Sequence, residues 1–544
     1  MLERLDRNLT PKKTRIIVGA IIAAALVFGL FNSFIQDDAF ISFRYAENFV
    51  KTGNLSWNPN SPEPVEGYTN FLWTLLISAA IYLGISPVPA SLVLGFISGF
   101  ATLFFTYRLS LLILGSERYA LLTTTLMGFN FTFSSYITGG LETQLQTFLI
   151  TASFYIAFYL VKRKSILNRF YLASLSLLFS ISLLTRMDSA LPVVVLYLFI
   201  SYFLFKNNVS PKGKAVSIFY LTFPSLIIVG TWFVWKYYYY GDIFPNSYYA
   251  KATDLNIEIL ISGVYYIYAF LHSYLLIPFV FLGFFFLNKL FKNKFLLTTT
   301  IVTSLWFIYV IKVGGDFMEF RFIVPIMPLI FITLVAIIQF SGNTKIRYAL
   351  SFLVLIGSIH HYLTFDTTRG IETISQLYGH INNNNENWDT IGKVFKTLFA
   401  EGKPPVKIAT TAAGAIPYYS QLPTIDMHGI NDKWIARNFP VIKPRPGHQK
   451  QADLDYLIHQ KVNLVIGHPQ LRKRNELITE NYHLSDLENF RVLDLRLEQL
   501  PKNSKIIEIP VSKNYKVIVL YLTKHKYVDE VIRENNLRIT DLVY

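Results

Sequence analysis

The sequence predicts a mainly α-helical, polytopic membrane protein with a soluble α/β domain at its C-terminal end. Two observations predict the membrane part. Of 544 residues, 52% are hydrophobic and only 16% charged, against roughly 25% charged in an ordinary soluble domain. Long apolar runs also recur as far as residue 365, each near the ~20 residues needed to cross a bilayer. A third observation predicts the soluble part: from residue 366 onward the runs shorten to strand length and polar residues return.

The membrane part reads as eleven spans, at 16–35, 88–107, 119–137, 143–161, 170–185, 189–205, 215–235, 273–288, 295–311, 322–340 and 348–365. The first follows a basic N-terminus, and no small-residue cleavage site succeeds it, so it is expected to remain as an uncleaved helix. The stretch 71–84 (FLWTLLISAAIYLG) is short and bounded by Asn70 and a Pro-rich turn. Charge decides how it is read. If it only dips into the membrane surface, 19 of the 26 basic residues before Asp366 fall in inside segments, and 12 of the 15 acidic ones fall outside. If it crossed, the basic loops from Arg108 onward would face out, against the positive-inside rule. The expected topology therefore has a cytoplasmic N-terminus and an external, periplasmic C-terminal domain in a bacterial inner membrane. Residues 1–365 form the membrane domain, 36–87 its first external loop, and 366–544 the external domain.

Within 366–544 the segment INNNNENW (381–388) reads as a linker. VKIATTA, LPTIDMH, VNLVIGH, IIEIPV and YKVIVLYLT read as strands, and ADLDYLIHQK as a helix. This part carries 24 basic and 20 acidic residues, which does not describe a nucleic-acid surface. The net charge of +15 over the whole chain is accounted for by the inside loops. There is no Cys, so disulfides, thiolate metal sites and Cys nucleophiles are excluded. A Gly-rich phosphate loop, zinc spacing and RNA-binding motifs are likewise missing from the sequence.

The polar residues at span ends gather on the external side of this topology. Asp37 and Asp38 follow the first span directly, Glu142 precedes a span, and Arg186 and Asp188 sit in TRMD. Asp242 lies in YYYYGDIFPNSYYAK; Asp316, Glu319 and Arg321 lie in KVGGDFMEFRF. A single carboxylate at a span end is most simply a solvated flank, because interfacial charge costs little. The adjacent Asp37–Asp38 pair is different. It abuts an apolar helix and is followed by an amphipathic segment, with Phe40, Ile41 and Phe43 set against Arg44 and Glu47. Two carboxylates this close repel, which raises one pKa or favours a shared cation. Either outcome suits a general base or a metal ligand. Arg186 and Arg321 can snorkel to the interface or bind a lipid phosphate. The aromatic cluster Trp235, Tyr237–Tyr240, Tyr248 and Tyr249 reads first as an interfacial belt and second as a surface for stacking sugars.

The motif QDDAFISFRYAENFV…WNP…VEGYTNFLW resembles the first external loop of a bacterial GT-C glycosyltransferase family. That family includes the terminal β-(1→2)-arabinofuranosyltransferase of mycobacterial cell-wall arabinan, and LphB-type proteins are similar. GGLETQL, TRMDSAL, YYGDIFPNSYYAK, GGDFMEFRFIVPIMP, AGAIPYYSQLPTIDMHGINDKWIAR and PGHQK extend the resemblance over nearly the whole chain. The resemblance implies a GT-C fold, a polyprenyl-phosphate-sugar donor and a cell-envelope glycan or glycolipid acceptor. It implies inverting transfer of a sugar, with a pentofuranose such as arabinofuranose as one candidate.

Carried over by position, Asp37 and Asp38 match the catalytic pair, with Asp37 the first choice for the base. Arg186 and Arg321 are expected to hold the donor phosphate. Arg44, Glu66, Tyr68, Glu142, Asp188, Asp242, Tyr248, Asp316, His428 and His448 are expected around the substrates. A divalent cation such as Mg or Mn is not demanded; Asp37, Asp38 and Glu142 would hold one. The rival reading is a transporter or flippase of lipid-linked sugars. It would place ionisable groups and broken helices near the midplane, whereas here the spans are nearly free of ionisable groups.

Overall fold

The computed structural model describes residues 10–59, 61, 63–207, 210–251, 256–383, 385–442, 447, 449–476, 490 and 500–542. Among these, eight helices are long and apolar enough to cross a membrane: Pro11–Phe31, Pro87–Leu114, Thr143–Lys162, Met187–Lys206, Pro211–Tyr240, Lys294–Lys312, Arg321–Phe340 and Thr344–Thr364. Their boundaries follow local signals. Pro11, Pro87 and Pro211 stand in first turns, where a missing N–H is not needed. Gly115 and Gly241 end two helices in the left-handed conformation. Arg321–Phe340 is the most enclosed, 83% buried, while Pro211–Tyr240 and Thr344–Thr364 are only 17% buried. Apolar helices left exposed around a buried central one form a bundle whose outer surface faces lipid.

The expected eleven spans are corrected at two places. The expected span 119–137 is two pieces, Glu117–Gly128 and Phe131–Ser135, because Asn130 caps a new helix start by accepting from the Phe133 N–H. The expected span 273–288 is the second limb of a pair, Ile257–Ser273 and Ile277–Phe285, bent by 94°. The first limb lies outside the expected spans because Glu258, His272 and several tyrosines dilute its apolar character. Arg169–Thr185, apolar and 17 residues long, coincides with the expected span 170–185. The stretch read as non-crossing is a helix, Phe71–Tyr82, of 12 residues. At ~1.5 Å per residue it reaches only ~18 Å, short of a ~30 Å hydrocarbon core.

The C-terminal region is built on a seven-stranded mixed sheet. The strands are β1 (Ile408–Thr410), β2 (Thr424–Asp426), β3 (Leu464–Gly467), β4 (Leu471–Lys473), β5 (Lys505–Pro510), β6 (Tyr515–Tyr521) and β7 (Arg538–Asp541). Their order is β2-β1-β3-β6-β5-β7, with β4 also pairing β6. β1 pairs β2 and β3 in parallel, and the other pairings are antiparallel. All five strands read from the sequence are present, as is the helix within ADLDYLIHQK, at Leu454–His459. Of INNNNENW (381–388), Ile381 and Asn382 end the helix Ile374–Asn382 and Trp388 opens the helix Trp388–Phe399, so only 383–387 connect them, with Asn384 outside the described residues.

The parallel strands position the site. The loops leaving the carboxyl ends of β1 and β2 face the membrane part, where open α/β sheets commonly place their functional loops. The loop after β1 reaches Asp37. The loop after β2 reaches Tyr45, whose hydroxyl donates to the Asn431 Oδ1 at 3.1 Å. A backbone bridge between Met318 and Glu372 ties the GGDFMEF loop to the start of the C-terminal region.

Candidate active site

The helix Asp37–Thr52 opens at the Asp pair. Gln36 is its N-cap and accepts from the Asp38 N–H through its side chain. Acidic residues in a first turn complement the helix dipole, so the local sequence favours a helix starting here. The two carboxylates then diverge. Asp37 is buried, and its oxygens accept the backbone N–H groups of Ala415 at 2.7 Å and Gly414 at 3.1 Å. Its pKa is pushed up from 3.8 to about 7. Burial is the main cause and the charge of Asp38 adds to it, while the Ala415 N–H opposes the rise. Asp38 is only half-buried. Burial raises its pKa too, with Lys251 and Arg321 pulling it down and Asp316 and Glu142 pushing it up.

Those neighbours are the polar residues of the span ends. Glu142 occupies the N-cap position of Thr143–Lys162. Its two oxygens accept from Arg186 at 2.8 Å and from the Asn70 amide at 2.7 Å. Asn70 also bonds Ser42, one turn after Asp38 on the same helix. Arg186 pairs with Asp188 at 2.9 Å, and Asp188 accepts from Gln146 at 2.6 Å. Arg321 donates to Asp316 at 2.6 Å. Both guanidinium groups lie over the Phe322 ring, Arg186 at 5.9 Å and Arg321 at 5.2 Å. Arg321 follows Phe320, a buried aromatic held at φ +46. That conformation is rare for a bulky residue, and here it delivers Arg321 to the cluster.

The structure thus brings together Asp38, Glu142, Arg186, Asp188, Asp316 and Arg321. One further residue joins them, Lys251, at the end of the helix Asn246–Lys251. Burial lowers its pKa, and it is felt by Asp38, Asp316 and both arginines. Among the described residues no carboxylate lies within ion-pair distance of it, whereas Arg186 and Arg321 are already paired. The sequence carried a faint signal for it: a lone cation in an aromatic stretch expected on the external side, where acidic residues dominate.

The remaining expected residues lie elsewhere. Arg44 is buried over Trp57 at 4.9 Å. It donates to the carbonyls of Trp57 (2.7 Å), Leu422 (2.8 Å) and Pro417 and to Asn58, clamping the helix to the C-terminal region. Glu66 pairs with buried Lys236 at 2.7 Å, and burial pushes its pKa up to about 7. Tyr68 bonds Tyr240 at 3.0 Å. Asp242 holds Arg437 at 2.5 Å. Tyr248 stacks on Phe244 in the open. His428 Nδ1 lies 3.1 Å from the Lys450 carbonyl. His448 lies outside the described residues.

Of the residues considered for a divalent cation, Asp37 and Glu142 are both engaged by protein donors, both oxygens of each accepting from N–H groups. Among the described residues no three His, Cys, Asp or Glu side chains are grouped to hold a metal ion.

A family described as a domain of unknown function (DUF8728) matches residues 379–526. No curated protein matches the chain. The fold aligns with ArnT from Cupriavidus metallidurans in the apo state over 93% of this chain and 98% of that one, at 11% identity and a TM-score of 0.54. ArnT bound to undecaprenyl phosphate aligns over 94% and 99%, at 11% identity and a TM-score of 0.53. The chain has the same fold as these structures: a GT-C membrane bundle carrying a smaller C-terminal region.

Proposed function

We propose that this chain is a membrane glycosyltransferase that moves a sugar from a polyprenyl phosphate to an acceptor hydroxyl on a cell-envelope glycan or glycolipid. The observation that carries the reading is the cluster at one end of the bundle, where Asp38 faces two cations, Lys251 and Arg321, and Arg186 stands beside those two. One group can take a proton there while others receive a phosphate. The alignment with ArnT bound to undecaprenyl phosphate supports the lipid-linked donor.

The acceptor oxygen attacks the anomeric carbon from the face opposite the phosphate, and the bond from that carbon to the phosphate oxygen breaks. The electron pair leaves with the phosphate, which gains one negative charge. Lys251, Arg186 and Arg321 stabilise that charge as it develops. Asp38 takes the acceptor proton. Burial raises its pKa, which strengthens it as a base, and it is less enclosed than Asp37. Asp37, with both oxygens held by backbone N–H groups, positions the helix on which Asp38 stands. The configuration at the anomeric carbon inverts. The sugar is a pentofuranose such as arabinofuranose in the first reading to test.

Purified protein is given a panel of polyprenyl-phosphate sugars and an envelope-derived acceptor, and products are read by mass spectrometry. The expected result is transfer from a lipid-linked donor and none from the matching nucleotide sugar. Turnover of a nucleotide sugar would overturn the proposal, as would failure across the whole lipid-linked panel.

A further inference from the structure

The helix Pro211–Tyr240 has 30 residues, so at ~1.5 Å per residue it is ~45 Å long, matching a bilayer counted through both headgroup layers. Its last turn, Tyr237–Tyr240, therefore sits at headgroup depth. Tyr238 there is 83% exposed. The chain reverses at Gly241, held at φ +71, and stays beside this helix end. Ile243, Phe244 and Tyr248 are all exposed, with Phe244 and Tyr248 stacked at 4.8 Å.

A segment of the C-terminal region is fastened at the same level. The helix Lys433–Asn438 packs against the helix Asn246–Lys251. Arg437 donates to Asp242 and lies 4.5 Å over Tyr249, and Lys433 is 3.7 Å from Asp242. Ile435 and Ala436 turn inward and are buried. Trp434, three residues before Arg437 and so on the same stripe, is 59% exposed, and Ile442 beyond it is 56% exposed.

We infer that this segment is a membrane-resting foot: Trp434, Val441 and Ile442 lie in the interfacial layer of the bilayer, continuous with the aromatic end of the helix Pro211–Tyr240. Trp and Tyr concentrate at this depth because their rings are apolar and their tips polar. The exposed Val441 and Ile442 favour lipid over glycan, since a sugar face is met by flat rings. Lys433 and Arg437 rim the patch as cations rim interfacial helices. The C-terminal region is then held against the membrane by its own contacts, besides its contacts with the bundle.

The chain has no Cys, so Trp434→Cys and Ile442→Cys each give a single labelling site in the full-length protein. Lys513→Cys, at an exposed turn between β5 and β6, serves as the reference. Each variant is spin-labelled, placed in nanodiscs of phosphatidylethanolamine and phosphatidylglycerol, and relaxed by oxygen or by a water-soluble nickel chelate. Labels at 434 and 442 should favour oxygen over nickel several-fold more than the label at 513 does. Nickel accessibility equal to that at 513 means water or glycan covers the patch and overturns the inference. Shielding from both reagents means a protein surface covers it and also overturns it. If one variant fails to purify as a single species, the other decides. The result is independent of whether sugar transfer is observed.

Discussion

Asp37 and Asp38 stand next to each other in the first turn of one helix, so their side chains leave it about 100° apart. That angle separates their surroundings. Asp37 turns to the N–H groups of Gly414 and Ala415, and Asp38 turns to the cations of the cluster. The sequence shows that the pair is special, but not which member faces the packed side, because that depends on a loop 377 residues further on. Lys251 escaped for a related reason: its faint local signal does not separate it from a solvated lysine. Asp38→Asn should cut transfer by about 10²–10⁴-fold, the usual cost of losing a general base, with purification behaviour unchanged. Asp37→Asn should lower activity less, and should lower thermal stability. Steady-state rates and melting curves of the two variants check this; the opposite ranking returns the base to Asp37.

Asp37 also makes a prediction in pH. Its pKa is raised on folding, from 3.8 to about 7, so the fold favours its protonated form. The stability it contributes is fully present below the unfolded value and is lost as pH rises through about 7. Asp37→Asn lacks this dependence. Between about pH 8 and about pH 5 the wild-type melting temperature should therefore gain on that of Asp37→Asn as the pH is lowered. A gap that moves the other way would mean that the two N–H bonds outweigh burial.

Among the elements, the loop after β1 is the most exacting. A Cβ on Gly414 would stand 1.9 Å from the Asp37 backbone oxygen, so only glycine allows the loop to close on the helix Asp37–Thr52. Arg44 secures the same segment through Pro417 and Leu422. Gly414→Ala should destabilise the protein by about 1–3 kcal/mol, as overpacking does, and should reduce transfer by displacing Asp38. The side-chain Cγ of Asp37 is also met, at 2.7 Å, but the tightest contact is with backbone and stays when the side chain is cut back, so adding Asp37→Ala should not restore either property. Thermal melting of the single and double variants decides. The strands were legible because their apolar runs are short and bounded by turn residues. The segment Ile257–Ser273 was not, since its packing face is recognised only against helix Lys294–Lys312, where Gly263 meets the Ile311 backbone.

Over the whole molecule, the helices sort charge to opposite ends. Thr143–Lys162 has Glu142 and the cluster at one end and Lys162, Arg163 and Lys164 at the other. Its 20 residues span ~30 Å, the thickness of the hydrocarbon core. Arg108, Lys206, Lys292 and Lys345 lie at that same far end of their helices. The span list was wrong in places, yet this sorting survives, because the broken helices return the chain to the side it was expected on. Whichever side the basic loops face, the cluster and the C-terminal region face the other. On the proposed function, the positive-inside rule places the cluster outside, where a sugar would arrive already attached to something that has crossed the membrane. Cysteines at two exposed positions test this in intact cells: Arg163→Cys in the basic loop and Asn383→Cys in the C-terminal region. The first should be silent to an impermeant thiol reagent until the cells are opened, and the second should react at once. The reverse pattern would put the cluster in the cytoplasm beside the nucleotide-sugar pool, and the lipid-linked donor would lose its physical reason.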